Sequence, residues 1–385
     1  MSKEAINNLL TKGVEEIIVK DHLLRTLHTP KKLRVKFGID PTGTDLHLGH
    51  LVALRKLKQF QDLGHKVVLL IGDFTAMIGD PSGRSETRKP LSEKDVKANY
   101  KKYVKQAGKI LDLKKSEIVY NSKWYKKGGL PLLMKLASSV TVQQMLERED
   151  FQKRLKNEEG ISELETLYPI LQGYDSVEVR ADVELGAIDQ KFNLLMGRRM
   201  QRIFNIEEQD VVMIPLLVGI DGVKKMSKSY GNYIALDDKP ADMFGKIMSV
   251  PDSLIESYFT LLIDKEFPRD LLPYDAKQTL GKEIVSMLHG EKFAEKAQQE
   301  FKNVFSNKGV PKEMATIGLH EPRVSILDLV VLSGVISKSA ARRLIEQGAV
   351  DIDGIRKENS EEILEIANSV TLRVGKTKFF RVVVQ

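Results

Sequence analysis

The sequence predicts an α/β fold with a parallel sheet in the first half of the chain, followed by a helical domain and a small α+β domain. Three observations favour this fold. A strand–helix–strand pattern covers residues 34–71, a helical pattern covers about 240–305, and short strands with tight turns end the chain. The predicted boundaries are 1–234, with a helical insertion at about 91–160, then 235–315 and 323–385.

The first domain is predicted from its opening unit. The segment RVKFGID alternates in polarity and predicts a strand, the leucines of LGHLVALRKLKQFQDLG recur at helical spacing up to Gly64, and KVVLLIG predicts a buried strand. Such a unit is typical of a Rossmann-like parallel sheet, whose ligands bind where strands end and helices begin. The next strand, DVVMIPLLVG, is predicted only near residue 210, so the residues between are predicted to be a mainly helical insertion.

Composition indicates a globular protein, and its charge favours an anionic partner, with a solvated basic surface as the more frequent alternative for an excess of this size. Its 385 residues are 42% hydrophobic and 29% charged, with a net charge of +7 and no cysteine. The lack of cysteine excludes disulfides, thiol catalysis and thiolate zinc sites. The sequence has no apolar run of about 18 residues and no apolar signal-peptide centre, which predicts a cytoplasmic protein without a membrane span.

A lysine-rich stretch indicates where a polyanion can bind. Ten lysines and only two acidic residues lie between Lys97 and Lys127, and aromatic residues are interleaved with them. The pattern predicts a face for a polyanion, with a solvated helical face as the alternative.

Two histidines stand at the predicted start of the first domain's helix. The segment GIDPTGTDLHLGH places His47 and His50 three residues apart in the first helical turn, where they face one way. Free backbone N–H groups and the helix dipole favour phosphate there, and two imidazoles can donate hydrogen bonds to charge that develops on phosphate oxygens. Gly49 lets a nucleotide approach the backbone. The alternatives are surface histidines and a metal site, for which no third and fourth ligand are evident.

A lysine-rich loop is predicted after the strand near residue 210. The segment GVKKMSKSYGN follows a turn at Asp221 and Gly222, and it contains Lys225, Ser227 and Lys228. Lysines act as point charges for phosphates, and a mobile loop can close over a leaving pyrophosphate. The sequence therefore predicts a second phosphate-binding element.

A polar stripe is predicted on a helix in the segment TLYPILQGYDSVEV. Tyr168, Gln172 and Asp175 are spaced i, i+4 and i+7, so they lie on one helical face. Their apolar neighbours indicate burial rather than a solvated face, and buried polar groups need partners. The stripe is therefore predicted to line a pocket.

The motif HLGH followed by KMSKS resembles the paired signature of class I aminoacyl-tRNA synthetases, and the neighbouring stretches resemble the bacterial tyrosyl-tRNA synthetase family over essentially the whole chain. The resemblance implies that tyrosine and ATP give tyrosyl-adenylate and pyrophosphate, and that the tyrosyl group then passes to the 3′ end of tRNA(Tyr). It implies ATP with Mg²⁺ and no protein-bound metal. It also implies an anticodon-binding helical domain and a homodimer formed through the insertion.

The resemblance assigns roles to individual residues. The implied catalytic residues are His47, His50, Lys225 and Lys228. The implied tyrosine pocket contains Lys36, Thr75, Asp80, Tyr168, Gln172, Asp175 and Gln190. The implied ATP site contains Gly38, Asp40, His47, Gly49, His50, Asp189, Lys225, Ser227 and Lys228, and pyrophosphate is implied to contact Arg84 and Arg88. Without the resemblance, Asp80 and Asp189 would be read as capping residues.

One position departs from the family pattern. Many members carry tyrosine two residues before the glycine of the first strand, where this sequence has Lys36. By strand alternation, Lys36 shares a face with Gly38 and Asp40, which predicts that it points into the pocket and pairs with Asp175. The floor of the pocket is therefore predicted to differ from the family pattern.

The C-terminal segment predicts a small separate domain. Two short helices, the second running from Ser337 to a stop at Gly348, precede the tight-turned strands DIDGIRK and LRVGKTKFFRVVV. This pattern resembles the small RNA-binding domain named after a ribosomal protein, and its predicted RNA contacts are Lys338, Arg342 and Arg343. Because residues 323–385 contain ten basic and eight acidic side chains, binding is expected to depend on one basic face. A purely structural module is the alternative.

Three other functions are weighed against this prediction. Tryptophanyl-tRNA synthetase resembles this fold, but the polar stripe and the C-terminal module argue against it. A non-catalytic RNA-binding protein on a synthetase scaffold is disfavoured by the intact signature motifs. A small nucleotidyltransferase would not need residues 235–385.

Overall fold

The structure is a computed structural model that describes residues 2–82, 91–263, 265–305, 314–334, 337–367, 369–375 and 378–384. The chain divides into two units, residues 1–294 and 295–385. Within the described part of the chain, no helix has the length and apolar composition needed to cross a membrane.

A six-stranded sheet forms the centre of the first unit. Its strands are β1 (Glu16–Ile18), β2 (Arg34–Ile39), β3 (Lys66–Ile71), β4 (Glu117–Tyr120), β5 (Val183–Ala187) and β6 (Asp210–Ile214). Their order across the sheet is β1-β6-β5-β2-β3-β4. All neighbouring strands are parallel except β1 and β6. The strands β3 and β6, each one position in from an edge of the sheet, are almost entirely buried, as parallel strands covered by helices on both faces must be.

Helices surround this sheet and continue beyond it. They are α1 (Lys3–Thr11), α2 (Lys20–Leu27), α3 (Leu48–Asp62), α4 (Thr75–Ile78), α5 (Glu93–Ala107), α6 (Ser122–Ala137), α7 (Val142–Leu146), α8 (Glu149–Lys156), α9 (Glu163–Glu178), α10 (Lys191–Ile203), α11 (Pro240–Met248), α12 (Ile255–Tyr258), α13 (Pro273–His289) and α14 (Glu291–Phe305). Short 3-10 turns lie at Ile188–Gln190 and Lys228–Tyr230. The predicted β2–α3–β3 unit and its parallel register are confirmed.

Two strands lie where the sequence predicts mainly helix. The strand β4 belongs to the predicted insertion and pairs with β3, and β5 lies between β2 and β6. The prediction that the next strand appears only near residue 210 is therefore wrong. The cause is physical, since β4 has four residues and β5 has five, which is too short for apolar periodicity to distinguish strand from helix.

The second unit contains a five-stranded sheet in the order β10-β9-β12-β13-β7 and a pair, β11-β8. Its strands are β7 (Ala315–Leu319), β8 (Arg323–Ser325), β9 (Val350–Ile352), β10 (Ile355–Lys357), β11 (Ile363–Glu365), β12 (Ser369–Val374) and β13 (Lys378–Val384). Its helices after α14 are α15 (Ile326–Leu332) and α16 (Lys338–Glu346). The turn between β9 and β10 has positive φ at Asp353 and Gly354, as the predicted tight hairpin requires.

The strand β7 corrects one sequence prediction. It lies between the predicted end of the helical domain at 315 and the predicted start of the C-terminal domain at 323, and it pairs in parallel with β13 along its whole length. The C-terminal sheet therefore includes residues that precede the predicted boundary at 323. A parallel partner some sixty residues later in the chain leaves no local turn signal from which the strand could be predicted.

Candidate active site

A cavity of about 760 Å³ opens at the C-terminal ends of the central strands, beside the start of α3. Its volume is in the range of small-molecule binding sites. Of the residues predicted to form the site, the cavity is lined by Lys36, Gly38, Asp40, His47, Gly49, His50, Thr75, Asp80, Tyr168, Gln172, Asp175, Asp189, Gln190, Lys225 and Ser227. Segments far apart in the sequence therefore meet in one pocket.

The two histidines begin α3 and fix each other's orientation. The Gly49 N–H donates to His47 Nδ1, and the His47 N–H donates to His50 Nδ1, both at 3.2 Å. Since each Nδ1 accepts a hydrogen bond, the proton of each neutral ring lies on Nε2. Burial lowers the pKa of both rings, that of His50 to about 4. Both rings are therefore neutral hydrogen-bond donors at pH 7.

Backbone pairing joins the histidine segment to the residues that follow the lysine loop. The Leu48 N–H donates to the carbonyl of Ile234 at 3.0 Å, and the Leu236 N–H donates to the carbonyl of Leu46 at 2.8 Å. These bonds hold the start of α3 beside the end of the loop, so the two signature motifs share one site.

The lysine loop is closed on an acidic partner. Lys225 Nζ lies 2.6 Å from Asp189 Oδ2, so two residues predicted for the ATP site pair with each other. The side chain of Asn232 shapes the loop, because it accepts from the Ser227 N–H at 2.8 Å and donates to Asp221 Oδ2 at 2.9 Å. Asn232 was not predicted from the sequence as a site residue, although it is the last residue of the motif GVKKMSKSYGN.

Lys228 differs from Lys225. Its Nζ is buried and has no hydrogen-bond partner among the described residues, and it lies 5.6 Å from the ring centroid of Tyr103. Burial lowers the pKa of this ammonium group. A side chain at Gly43 would approach Lys228 Nζ to 2.7 Å, so the glycine makes room for it. Lys228 is not among the residues that line the cavity, although it lies beside the histidine segment.

The first residue of the polar stripe holds a buried carboxyl group. Tyr168 donates to Asp40 Oδ2 at 2.9 Å, and Thr75 donates to Asp40 Oδ1 at 2.8 Å. Burial raises the pKa of Asp40 to about 7 despite these bonds. The helix α9 is thereby linked to the end of β2.

The amide groups of the pocket meet at one residue that the sequence analysis missed. Asn193 Nδ2 lies 3.0 Å from Gln172 Oε1 and 2.9 Å from Gln190 Oε1. Gln190 in turn donates to Asp80 Oδ2 at 2.7 Å, and Arg148 donates to Asn193 Oδ1 at 2.6 Å. Asn193 lies three residues after Gln190, one helical turn away. This spacing could have predicted from the sequence that the two side chains lie close together.

Asp175 is buried and accepts hydrogen bonds from three residues of the predicted insertion. Trp124 Nε1 and the Tyr125 hydroxyl donate to Oδ1 at 3.0 and 2.8 Å, and Asn121 Nδ2 donates to Oδ2 at 3.2 Å. Trp124, Tyr125 and Tyr103 are buried. These aromatic residues of the lysine-rich stretch therefore pack inside the protein and are not available to a polyanion.

Lys36 does not form the predicted pair with Asp175. It is fully buried, and its ammonium group lies 2.8 Å from Glu184 Oε1 on the neighbouring strand β5. The prediction failed because strand alternation gives the face of the sheet but not the residue on the adjacent strand.

The remaining predicted residues lie elsewhere. Arg84 and Arg88 lie outside the described residues. Lys338, Arg342 and Arg343 lie on α16 in the second unit and are exposed. Lys338 Nζ is 3.9 Å from Asp328, and Arg342 is 3.3 Å from Glu361.

The fold and the site define an α/β protein in which a helix start that carries two histidines adjoins a polar pocket. The family model "tRNA synthetases class I (W and Y)" matches residues 29–306. The tyrosine–tRNA ligase of Thermotoga maritima is 48% identical and aligns with 99% of this chain and 98% of its own length. That of Aquifex aeolicus is 45% identical over all of both chains.

A solved structure shows the same fold. The tyrosyl-tRNA synthetase of Archaeoglobus fulgidus, complexed with L-tyrosine, has a TM-score of 0.62 at 22% identity and covers 77% of this chain and 98% of that chain. The chain belongs to the class I aminoacyl-tRNA synthetases of the tryptophan and tyrosine type. The resemblance stated from the sequence is therefore confirmed.

Asp40 gives a prediction about pH and stability. Its ordinary pKa is 3.8, so between about pH 5 and 7 the folded protein holds a proton that the unfolded chain has lost. This carboxyl group therefore stabilises the fold less as the pH rises. We expect the free energy of unfolding of Asp40→Asn, measured with urea, to rise by ~2 kcal/mol relative to that of wild type between pH 5 and pH 8. A difference that stays constant with pH would contradict the assignment, and Asp62→Asn, an exposed carboxyl group, is the control.

Proposed function

We propose that this chain is a tyrosine–tRNA ligase. The carboxylate of tyrosine attacks the α-phosphorus of ATP, the bond to the β-phosphate oxygen breaks, and pyrophosphate leaves as tyrosyl-adenylate forms. The terminal ribose hydroxyl of tRNA(Tyr) then attacks the acyl carbon, and AMP leaves. The observation that carries this proposal is that one cavity brings together the histidine pair, the lysine loop and the polar pocket.

Catalysis in this proposal is positioning and electrostatic stabilisation without a covalent enzyme intermediate. The Nε2–H groups of His47 and His50 donate to the charge that develops on the α-phosphate. Lys225 leaves Asp189 and neutralises pyrophosphate, and Asp189 is then available to the ATP ribose. The ammonium group of Lys228, which is buried and has no hydrogen-bond partner in the described part of the chain, is a second cation beside the histidines. Mg²⁺ enters with ATP as part of the substrate.

The polar pocket suits tyrosine. Asp175 is the proposed acceptor of the phenolic hydrogen, since its carboxylate lines the cavity and is oriented by Trp124 and Tyr125. A buried acceptor left unpaired disfavours phenylalanine, a discrimination for which tyrosyl-tRNA synthetases are themselves the standard example. Asp80, Tyr168, Gln172 and Gln190 are proposed to surround the ammonium group.

The direct test is amino-acid-dependent exchange of labelled pyrophosphate into ATP, without tRNA, for all twenty amino acids. Exchange with tyrosine alone supports the proposal. Exchange with tryptophan would assign the chain to the other branch of the family. No exchange, in folded protein that binds RNA, would favour a non-catalytic function.

The histidines give the second prediction. We expect His47→Ala and His50→Ala to slow tyrosine activation by about 100-fold while the dissociation constant of tyrosine stays near that of wild type. Activation is measured by rapid mixing. Tyrosine affinity is measured by the fluorescence of Trp124, because it is the only tryptophan of the chain and its indole contacts Asp175.

A variant of His47 separates catalysis from helix capping. His47→Asn keeps an acceptor near the position of Nδ1, so the cap of α3 and the melting temperature are retained, but it removes the donor at Nε2. If His47→Asn activates tyrosine slowly but keeps the melting temperature of wild type, the result supports the proposed role. Equal losses of activation rate and tyrosine affinity in the alanine variants would contradict it.

We propose that tRNA phosphates contact one face of α5. This lysine face consists of Lys94, Lys97, Lys101, Lys102 and Lys105, which are all exposed. The opposite face of α5 is anchored beside the site, since Asn99 donates to the Pro41 carbonyl at 3.0 Å and Gln106 accepts from the Leu46 N–H at 2.7 Å. The helix that carries the lysine face therefore lies next to the segment that carries the histidines, with its lysines on the outer side.

Salt dependence is the third prediction. The triple variant Lys97→Gln, Lys101→Gln and Lys105→Gln is expected to reduce the slope of log tRNA affinity against log salt by about 2 to 3. Aminoacylation should fall relative to pyrophosphate exchange measured on the same preparation. The control, with an equal change in net charge, is the triple variant Lys3→Gln, Lys12→Gln and Lys20→Gln on and near the first two helices. Equal slopes in both triple variants would contradict the proposed contact.

The other domains complete the proposed partnership with tRNA. The helices after residue 235 are proposed to read the anticodon, and the second unit is proposed to bind RNA through Lys338, Arg342 and Arg343 on α16. Their exposure supports this proposal. We also propose that the enzyme works in the cytoplasm, where tRNA and ATP are available.

We propose that two chains associate through the inserted segment. Leu130, Met134 and Val142 are 66%, 64% and 65% exposed, and the first two lie one helical turn apart on α6. Exposed apolar residues grouped in this way are typical of protein interfaces.

Association gives the fourth prediction. We expect wild type to sediment as a two-chain species and the double variant Leu130→Glu and Met134→Glu to sediment as single chains. The reason is that a carboxylate buried at the interface would be unpaired. Leu332→Glu, which changes a residue 54% exposed on α15, is the matched control. A wild-type monomer, or a dimer that survives both α6 changes, would contradict the proposal.

A further inference from the structure

Lys36 uses all of its hydrogen-bonding capacity inside the protein. Its Nζ lies 2.8 Å from Glu184 Oε1, 2.8 Å from Ser176 Oγ and 3.1 Å from the Gln172 carbonyl oxygen. An ammonium group has three N–H donors, and here three acceptors surround it. No donor of Lys36 is left for the phenolic oxygen of a substrate, even though the residue lies at the cavity.

Glu184 is satisfied to the same degree. Its Oε2 accepts from the Ser176 hydroxyl at 2.9 Å and from the side-chain amide of Gln209. Gln209 is itself held, because its N–H donates to Gln201 Oε1 at 2.7 Å. The buried ion pair is therefore embedded in a continuous hydrogen-bond network, which is the condition under which buried charges are tolerated.

This network connects the sheet to the helix that carries the polar stripe. Lys36 on β2 and Glu184 on β5 are direct neighbours across the sheet. Gln172 and Ser176 are one turn apart on α9, and Asp175 lies between them. An ammonium group that binds both turns fixes the rotation and the height of α9 relative to the sheet, and thus the position of the Asp175 carboxylate.

We infer that the Lys36–Glu184 ion pair is a positioning element for tyrosine recognition, which sets Asp175 and Gln172 without contacting the substrate. The inference rests on the proposed function, since it concerns the tyrosine pocket. It explains how lysine can occupy a position where the family pattern has tyrosine. Asp175, the proposed acceptor of the phenolic hydrogen, is oriented by this internal ion pair.

Electrostatics adds a measurable consequence. Burial raises the pKa of Asp175 to about 6, and the positive charge of Lys36 opposes that rise. The other titratable groups that face Asp175 are Tyr125 on α6, Tyr168 on α9 and Asp40 after β2. Removal of the lysine charge leaves this set without its cation, so the pKa of Asp175 should rise further.

The experiment compares Lys36→Met, Glu184→Gln and the double variant in the full-length protein. Tyrosine-dependent pyrophosphate exchange is measured from pH 5 to 9. For Lys36→Met we expect kcat/KM for tyrosine to fall about tenfold at pH 7, and its acidic limb to move up by about one pH unit, while KM for ATP changes less than twofold. Lys56→Met is the control, because Lys56 is also buried but donates to the carbonyls of Leu9 and Lys12.

The double variant separates positioning from stability. Each single variant leaves one charge buried without its partner. The losses of unfolding free energy should therefore be strongly non-additive, and the double variant should be more stable than either single variant. It carries the kinetic test if Lys36→Met fails to fold. A double variant with wild-type kcat/KM for tyrosine and an unmoved acidic limb would overturn the inference. Wild-type protein without tyrosine-dependent exchange would instead overturn the proposed function.

Discussion

The arrangement of the site depends on backbone hydrogen bonds between residues 46–48 and 234–236. These residues are nearly two hundred positions apart, and their pairing closes the catalytic unit around the C-terminal ends of the strands. The first residue of α3 is fixed by the same bonds. The N–H groups predicted to be free at this helix start are occupied, because those of Gly49, His50 and Leu51 donate to His47. Because the histidines cap that turn, their ring orientations follow from the backbone and not from solvent.

The second constraint is the burial of carboxyl groups beneath the cavity. Asp40, Asp175 and Glu184 are each held by donors from a different element, namely α9, α6 and β2. A buried carboxylate without such donors would destabilise the fold, so the surrounding helices cannot shift independently. The rigidity that the proposed recognition of tyrosine needs is thus a consequence of satisfying these groups. In the proposed tyrosine pocket, substrate specificity and stability therefore depend on the same contacts.

The sequence predicted the elements and the site better than it predicted the contacts within the site. Long periodic segments such as α3 and the signature motifs were identified because their signals are local. The strand β4, the partner of Lys36, and the roles of Asn121 and Asn193 were missed or wrongly assigned. Most of these contacts join residues distant in sequence, and periodicity gives the face on which a side chain lies but not the group opposite it.

In the proposed reaction, the charge state of the site favours the transition state over bound ATP. His47 and His50 are neutral, and Lys225 is neutralised by Asp189, so they add little net positive charge to attract a ground-state phosphate. Neutral donors gain most when negative charge develops on the oxygens that they face. Lys225 binds a phosphate only if that phosphate displaces Asp189 from it. In the proposed reaction, interactions of both kinds strengthen as pyrophosphate separates, which lowers the activation barrier more than it tightens substrate binding.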